Sequence, residues 1–203
     1  LADIDTVGRQ RCRGGFIGDP YLFDHRAHGI GPAEAVGMDP QQRVFLDVVA
    51  DALINSGVAA QQLEGSNTGV YVGASTSDYV RLRQLIGGRE QVDKFQLLGE
   101  QSFLAGRIAF KYGLRGPAEV IDTACSSSLV AVARACDDLA RGRTSLAVAG
   151  GVNLILSTYG YVMLASAGAI SPTGACRAFD GAADGYVRGE GAGDLDRVLG
   201  GHA

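Results

Sequence analysis

Long hydrophobic runs are missing from this chain. No stretch of eighteen or more apolar residues occurs, which leaves no segment fit to cross a bilayer as a helix. A charged-then-apolar leader is also missing at Leu1, so neither a secretory signal nor a membrane partner is expected. Cysteine is scarce and scattered. Cys12, Cys125, Cys136 and Cys176 form no CxxC pair, which argues against a zinc cluster or a disulfide framework and for reduced thiols in the cytoplasm. Charge of one sign is nowhere concentrated. The 18 Lys and Arg are dispersed among 22 Asp and Glu for a net charge of −4, and with no basic stripe nucleic acid is not an expected partner.

Histidine is equally sparse. His25 and His28 lie in the segment FDHRAHGIGP, which reads as surface or packing, and His202 is the penultimate residue. None is expected to be catalytic. Asp180, Asp184 and Glu190 are too separated to suggest a metal site. The run Gly189-Glu190-Gly191-Ala192-Gly193 has GxGxG spacing without the strand and helix that a dinucleotide loop requires, so it reads as glycine packing in a turn. No bound cofactor and no metal are expected.

What is present is a chain 46% hydrophobic and 20% charged, able to bury a sizeable core as one globular unit. Residues 1–37 read as loops with short elements. An Asp39-Pro40 start and a Gly57 cap predict a helix over about 40–55, with Val44, Leu46, Val48, Val49, Ala52 and Leu53 on its apolar side. Residues 68–73 predict a strand, 76–99 contain helix broken at Gly87-Gly88, and 101–112 predict a helix packing through Phe103, Leu104, Ile108 and Phe110. A strand ending at Ile121, a helix over 126–139, a strand over 146–150 and a helix near 159–165 follow. Strands alternating with helices give an α/β fold with a mostly parallel sheet covered on its faces. Asp194-Leu195-Asp196-Arg197 reads as a loop or surface turn rather than a buried strand.

The most informative segment is Asp122-Thr123-Ala124-Cys125-Ser126-Ser127-Ser128. An apolar run delivers a cysteine to the mouth of a helix whose Leu129, Val132, Ala133, Cys136 and Leu139 recur at three- and four-residue steps. Unpaired amides and the positive end of a helix dipole favour thiolate there, and thiolate is the attacking species. The Cys125 backbone N–H can also serve as one donor to an oxyanion formed on an acyl carbonyl. Cys136, three turns along, reads as a packing residue on the inner face, and Cys176 as structural.

VIDTACSSSLVAV, residues 120–132, resembles the active-site segment of the β-ketoacyl synthase (ketosynthase) domain of type I polyketide synthases. Further resemblances follow in order: GMDPQQR at 37–43, TGVYVG at 68–73, AGRIA at 105–109, AGGVN at 149–153, AGAISP at 167–172, and FD at 179–180 leading to DGYVRGEG at 184–191. The resemblance implies the N-terminal half of a thiolase-like fold, with the nucleophile at the start of a central helix. It implies that Cys125 accepts an acyl chain from the phosphopantetheine arm of an acyl carrier protein. A malonyl-type extender is then decarboxylated, and its carbanion attacks the acyl-cysteine to form a carbon–carbon bond.

Such domains also use histidines in HGTGT-like and NIGH-like motifs, and neither motif occurs among these 203 residues. The expectations are therefore a partner C-terminal half, a homodimer when complete, and an isolated fragment that is inactive and prone to associate through the open side of the nucleophile helix. The alternatives are a fatty-acid-type condensing enzyme and a non-catalytic dimerising fragment.

Overall fold

The computed structural model describes residues 13–87 and 97–195. In chain order the elements are β1 (Gly14–Gly15), α1 (Pro32–Gly37), α2 (Pro40–Ser56), α3 (Ala60–Leu63), β2 (Thr68–Gly73), α4 (Asp78–Gly87), α5 (Leu104–Tyr112), β3 (Ala118–Ile121), α6 (Ser127–Ala140), β4 (Leu146–Asn153), α7 (Tyr159–Ser166), β5 (Arg188–Gly189) and β6 (Gly191–Leu195). Short 3₁₀ turns occupy Gln101–Phe103 and Ala124–Ser126. The chain divides into two compact units, Leu1–Gly18 with Leu154–Gly191, and Asp19–Asn153 with Ala192–Ala203. The composition, which reads as one globular unit, does not show this internal division. Its cause is non-local: β1 pairs in parallel with β5, Gly14 opposite Arg188, across most of the chain.

The larger unit is built on a four-stranded sheet in the order β3-β2-β4-β6. β2 runs parallel to both β3 and β4, with Val70 opposite Ala118 and Val148, and Tyr71 opposite Glu119 and Ala149. Every residue of β2 is buried. Because side chains alternate across a strand, Val70, Val72, Val148 and Val152 face one core with Phe45, Leu46, Val49, Leu104 and Ile108 from α2 and α5. Tyr71, Ala147 and Ala149 face the other core, with Ala131 and Ala135 of α6. Burial of each large aliphatic or aromatic side chain here stabilises the fold by about 1.5–3 kcal/mol.

α2 begins where the sequence places it. Asp39 caps it by accepting the Gln41 N–H at 2.8 Å, Pro40 occupies the first helical position, and Gly57 ends it in the left-handed region at φ 71°. Its inner face is Phe45, Leu46, Val49 and Leu53, so the predicted face is close but omits Phe45. Its first turn is buried too, although polar. The Gln42 side-chain amide donates to the Leu98 and Glu100 carbonyls, each at 3.0 Å, and Gln41 donates to the Thr76 carbonyl at 2.6 Å. Arg43 donates to the Met38 carbonyl at 2.8 Å and lies 5.4 Å over the Tyr79 ring. The MDPQQR segment is thus a buried polar hub whose groups are satisfied by surrounding loop carbonyls.

Several expectations are revised. Residues 101–112 split into a 3₁₀ turn and α5, and Phe110 is 90% exposed rather than packed. α1 was not predicted within residues 1–37, and β4 extends three residues beyond 150. The Gly87-Gly88 break falls at the edge of the undescribed stretch. The glycine run at 189–193 forms the end of β5 and the start of β6 instead of a turn. β6 also carries Asp194 and Leu195 in strand conformation, which corrects the loop reading there. It lies at the edge of the sheet, where one side needs no ladder partner and a carboxylate is tolerated. Gly150 makes room for it: a Cβ at that position would stand 2.9 Å from Asp194 Cα.

In the smaller unit, the Tyr161 hydroxyl donates to the Arg13 carbonyl at 3.0 Å and the Arg188 guanidinium lies 5.0 Å over the Tyr161 ring. The Glu190 carboxylate accepts the Ile155 N–H at 2.8 Å and the Ile17 N–H at 3.2 Å. Among the described residues no helix is long and apolar enough to cross a membrane.

Candidate active site

Cys125 stands where β3 hands over to α6, in the larger unit. β3 ends at Ile121, Asp122 and Thr123 turn the chain, Ala124–Ser126 form one 3₁₀ turn, and α6 runs from Ser127. In a parallel sheet this is the carboxyl end of a strand, where ligand sites gather. Cys125 is exposed and free. The residue before it adopts φ 55°, and Ala124 and Phe179 are the non-glycine residues with positive φ among those described. Left-handed backbone at an alanine costs roughly 1 kcal/mol, so the turn is held open by its surroundings.

Those surroundings are hydroxyls. Ser127 Oγ accepts the Thr123 N–H at 2.9 Å and donates to the Ala124 carbonyl at 2.7 Å. Ser126 Oγ donates to the Thr123 carbonyl at 2.9 Å and lies 2.8 Å from Thr123 Oγ1. With the Ser126 proton committed, Thr123 is the donor of that second contact. Asp122 Oδ1 accepts the Ala124 N–H at 3.0 Å. The amides of Ser126 and Ser127 bond back to the Thr123 and Ala124 carbonyls. The Cys125 N–H is not among these bonds. The sequence marked this segment, but no turn-holding role was read for Thr123, Ser126 or Ser127, although the run of short hydroxyl side chains carried the signal.

α6 then lies against the sheet through Ser127, Ala131, Ala135 and Asp138. Leu129 is 75% exposed, and Ala133 and Cys136 are exposed as well, while Val132 and Leu139 are partly buried. Cys136 is therefore not an inner packing residue. The sheet side of the helix is its small side, because Ala131 and Ala135 meet Tyr71, Ala147 and Ala149 at close range. At the far end, buried Asp138 accepts the Tyr71 hydroxyl at 2.6 Å and pairs with Arg143. The hydrogen bond from Tyr71 first, then that from Arg143, holds the Asp138 carboxyl below its ordinary range. Burial, then the Asp138 contact, pushes the Tyr71 hydroxyl up. This anchor was not foreseen either, though a tyrosine inside an all-buried strand demands a partner for its hydroxyl.

The other candidate residues have local work. His25 Nδ1 is 2.6 Å from the Ile30 carbonyl, and His28 Nε2 is 2.6 Å from Asp47 Oδ1 with its ring stacked on Phe23. His202 and Cys12 lie outside the described residues. Exposed Cys176 accepts the Val187 N–H at 3.0 Å. Asp184 accepts the Ser171 and Thr173 hydroxyls at 2.6 and 2.7 Å, and Asp180 accepts the Ala182 N–H at 2.8 Å.

Residues 2–195 match the family described as "Beta-ketoacyl synthase, N-terminal domain". The chain is 48% identical over 211 residues to a phenolphthiocerol/phthiocerol polyketide synthase of Mycobacterium bovis, an alignment covering 97% of this chain and 11% of that protein. It is 41% identical to the non-reducing polyketide synthase atr1 of Stereocaulon alpinum, covering 95% of this chain and 8% of that one. Among solved structures, the ketosynthase from module 6 of the bacillaene synthase of Bacillus subtilis 168 superposes with TM-score 0.80 at 38% identity, covering 91% of this chain and 32% of that one. An oxazolomycin ketosynthase domain from Streptomyces albus JA3453 gives TM-score 0.81 at 33% identity, covering 91% and 33%. The chain thus spans about a third of the solved ketosynthases and about a tenth of the curated synthases it matches.

Proposed function

This chain belongs to the β-ketoacyl synthase family, as its N-terminal domain, and from that premise we propose that Cys125 is the nucleophile of a polyketide ketosynthase. Its sulfur attacks the thioester carbonyl of an acyl group carried on the phosphopantetheine arm of an acyl carrier protein. The carrier thiol leaves and an acyl-cysteine remains. A malonyl-type extender on a carrier protein then loses carbon dioxide, its carbanion attacks the acyl carbonyl, and the Cys125 sulfur is expelled as the carbon–carbon bond forms. The Cys125 N–H is one donor to the oxyanion of each addition.

The observation that carries this reading is an accessible thiol on a strained turn between β3 and α6. The relatives named above are polyketide synthases, which favours that class over a fatty-acid-type condensing enzyme. The histidine motifs of the family do not occur in these residues. A complete condensing site accordingly draws on a C-terminal half, and the working unit is a homodimer that meets an acyl carrier protein. Free thiols at Cys125, Cys136 and Cys176 fit a cytosolic setting. The exposed Leu129 side of α6 supports the reading that the 203 residues alone associate.

Incubation of the chain with an acyl-N-acetylcysteamine thioester, followed by peptide mass mapping, tests the proposal. One acyl group is expected on Cys125 and none after Cys125→Ser. Acylation spread evenly over Cys125, Cys136 and Cys176, or none at all, contradicts it.

A further inference from the structure

We propose that Gly73 and Gly151 are positioning residues for Cys125: the two glycines let the first turn of α6 rest directly on the carboxyl ends of β2 and β4, and so fix where the thiol stands. The inference rests on the nucleophile reading of Cys125. Gly73 and Gly151 are register partners in adjacent parallel strands. Alternation places them on the same sheet face as Tyr71, Ala147 and Ala149, the face that α6 covers. Neither has a positive φ. Space, not backbone conformation, is what glycine supplies here.

A Cβ on Gly73 would stand 2.5 Å from Ser127 C and Ser128 Cα and press on Ser128 N as well. All three atoms are backbone, so no rotamer change relieves the contact. A Cβ on Gly151 would stand 2.7 Å from Ser128 Cβ and 3.1 Å from the Gly73 carbonyl oxygen. Either methyl group therefore lifts the start of α6. The displacement passes to the catalytic turn through Ser127, whose hydroxyl holds both the Thr123 N–H and the Ala124 carbonyl. Reactive geometry is sensitive to shifts of this size, since misplacement by about 1 Å can lower rates on the order of 100-fold.

The opposite end of β2 offers a control. A Cβ on Gly116 would stand 2.5 Å from Thr68 C and 2.7 Å from Gly69 N, also backbone. Gly116→Ala strains the same sheet without touching α6.

The test uses the full chain, iodoacetamide as probe and peptide mass mapping. The readout is the rate of Cys125 modification divided by that of Cys136, which is exposed on the same helix. In the unaltered chain the ratio exceeds one. Gly73→Ala and Gly151→Ala lower it about tenfold, while Gly116→Ala lowers thermal stability and leaves it unchanged. Ser128→Gly added to Gly151→Ala removes the nearest clash and restores the ratio. Where Gly73→Ala does not fold cooperatively, the Gly151→Ala and Gly151→Ala/Ser128→Gly pair decides. An unchanged ratio in folded Gly151→Ala, an equal fall in Gly116→Ala, or no rescue by Ser128→Gly overturns the positioning inference alone. A ratio of one in the unaltered chain overturns the nucleophile reading and the positioning inference with it.

Discussion

Ser127 holds two bonds of the turn that presents Cys125, and it is buried while doing so. Ser127→Ala leaves the Thr123 N–H and the Ala124 carbonyl without those partners. We expect a loss of about 1–3 kcal/mol in denaturant unfolding, together with slower alkylation of Cys125 and unchanged alkylation of Cys176. Unaltered stability and labelling would show that the turn is held by other means. Asp138 gives a prediction in pH. The folded chain favours its ionised form through the Tyr71 hydroxyl and Arg143. Its contribution is complete above the ordinary carboxylate value of about 3.9 and is lost as pH falls through the lower folded value. Thermal melts of Asp138→Asn should lie below those of the parent chain at pH 7, and the gap should narrow below about pH 4. A gap independent of pH contradicts this assignment. The placement of Cys125 between a strand and a helix was legible in the sequence because the three are contiguous. The serine clasp was present as composition but needed coordinates to show which hydroxyl serves which amide.

At the scale of elements, α6 shows where periodicity misleads. Its length was predictable to within a residue, yet its faces were not. Counting apolar side chains selects Leu129, Val132, Ala133, Cys136 and Leu139, of which Val132 and Leu139 pack at the border of the sheet contact, whereas its centre is Ala131 and Ala135 because Tyr71 and the small residues of β4 allow close approach. The bulkier side is left exposed. Leu129→Glu is therefore expected to leave far-ultraviolet circular dichroism unchanged and to raise the monomer fraction in sedimentation velocity, because it charges an apolar patch that promotes association. Loss of helicity, or unchanged association, would count against that view of the face. β6 was misread for a related reason. Asp194 and Asp196 signal a turn when a strand is assumed to be central, but Asp194 sits in β6 at the edge of the sheet, where such a residue is compatible with strand pairing on one side.

For the whole molecule, the parallel α/β character followed from alternation alone, and β2 pairs in parallel on both sides as that alternation requires. The division into two units did not, since β1 and β5 are short, glycine-containing and far apart in sequence. The MDPQQR motif was visible, but its role as a hub depends on carbonyls at Met38, Thr76, Leu98 and Glu100 that no local pattern announces. With no HGTGT-like or NIGH-like histidine in its sequence, the chain alone is expected to release no carbon dioxide and form no elongated product from a malonyl thioester. Radiolabelled extender assays check this, and any elongated product refutes it. The most direct measurement of the central claim compares iodoacetamide rates at Cys125, Cys136 and Cys176, all exposed in the folded chain, in buffer and in denaturing urea. The account predicts that Cys125 reacts fastest in buffer and that its advantage disappears in urea; equal rates at the three thiols in buffer would contradict it.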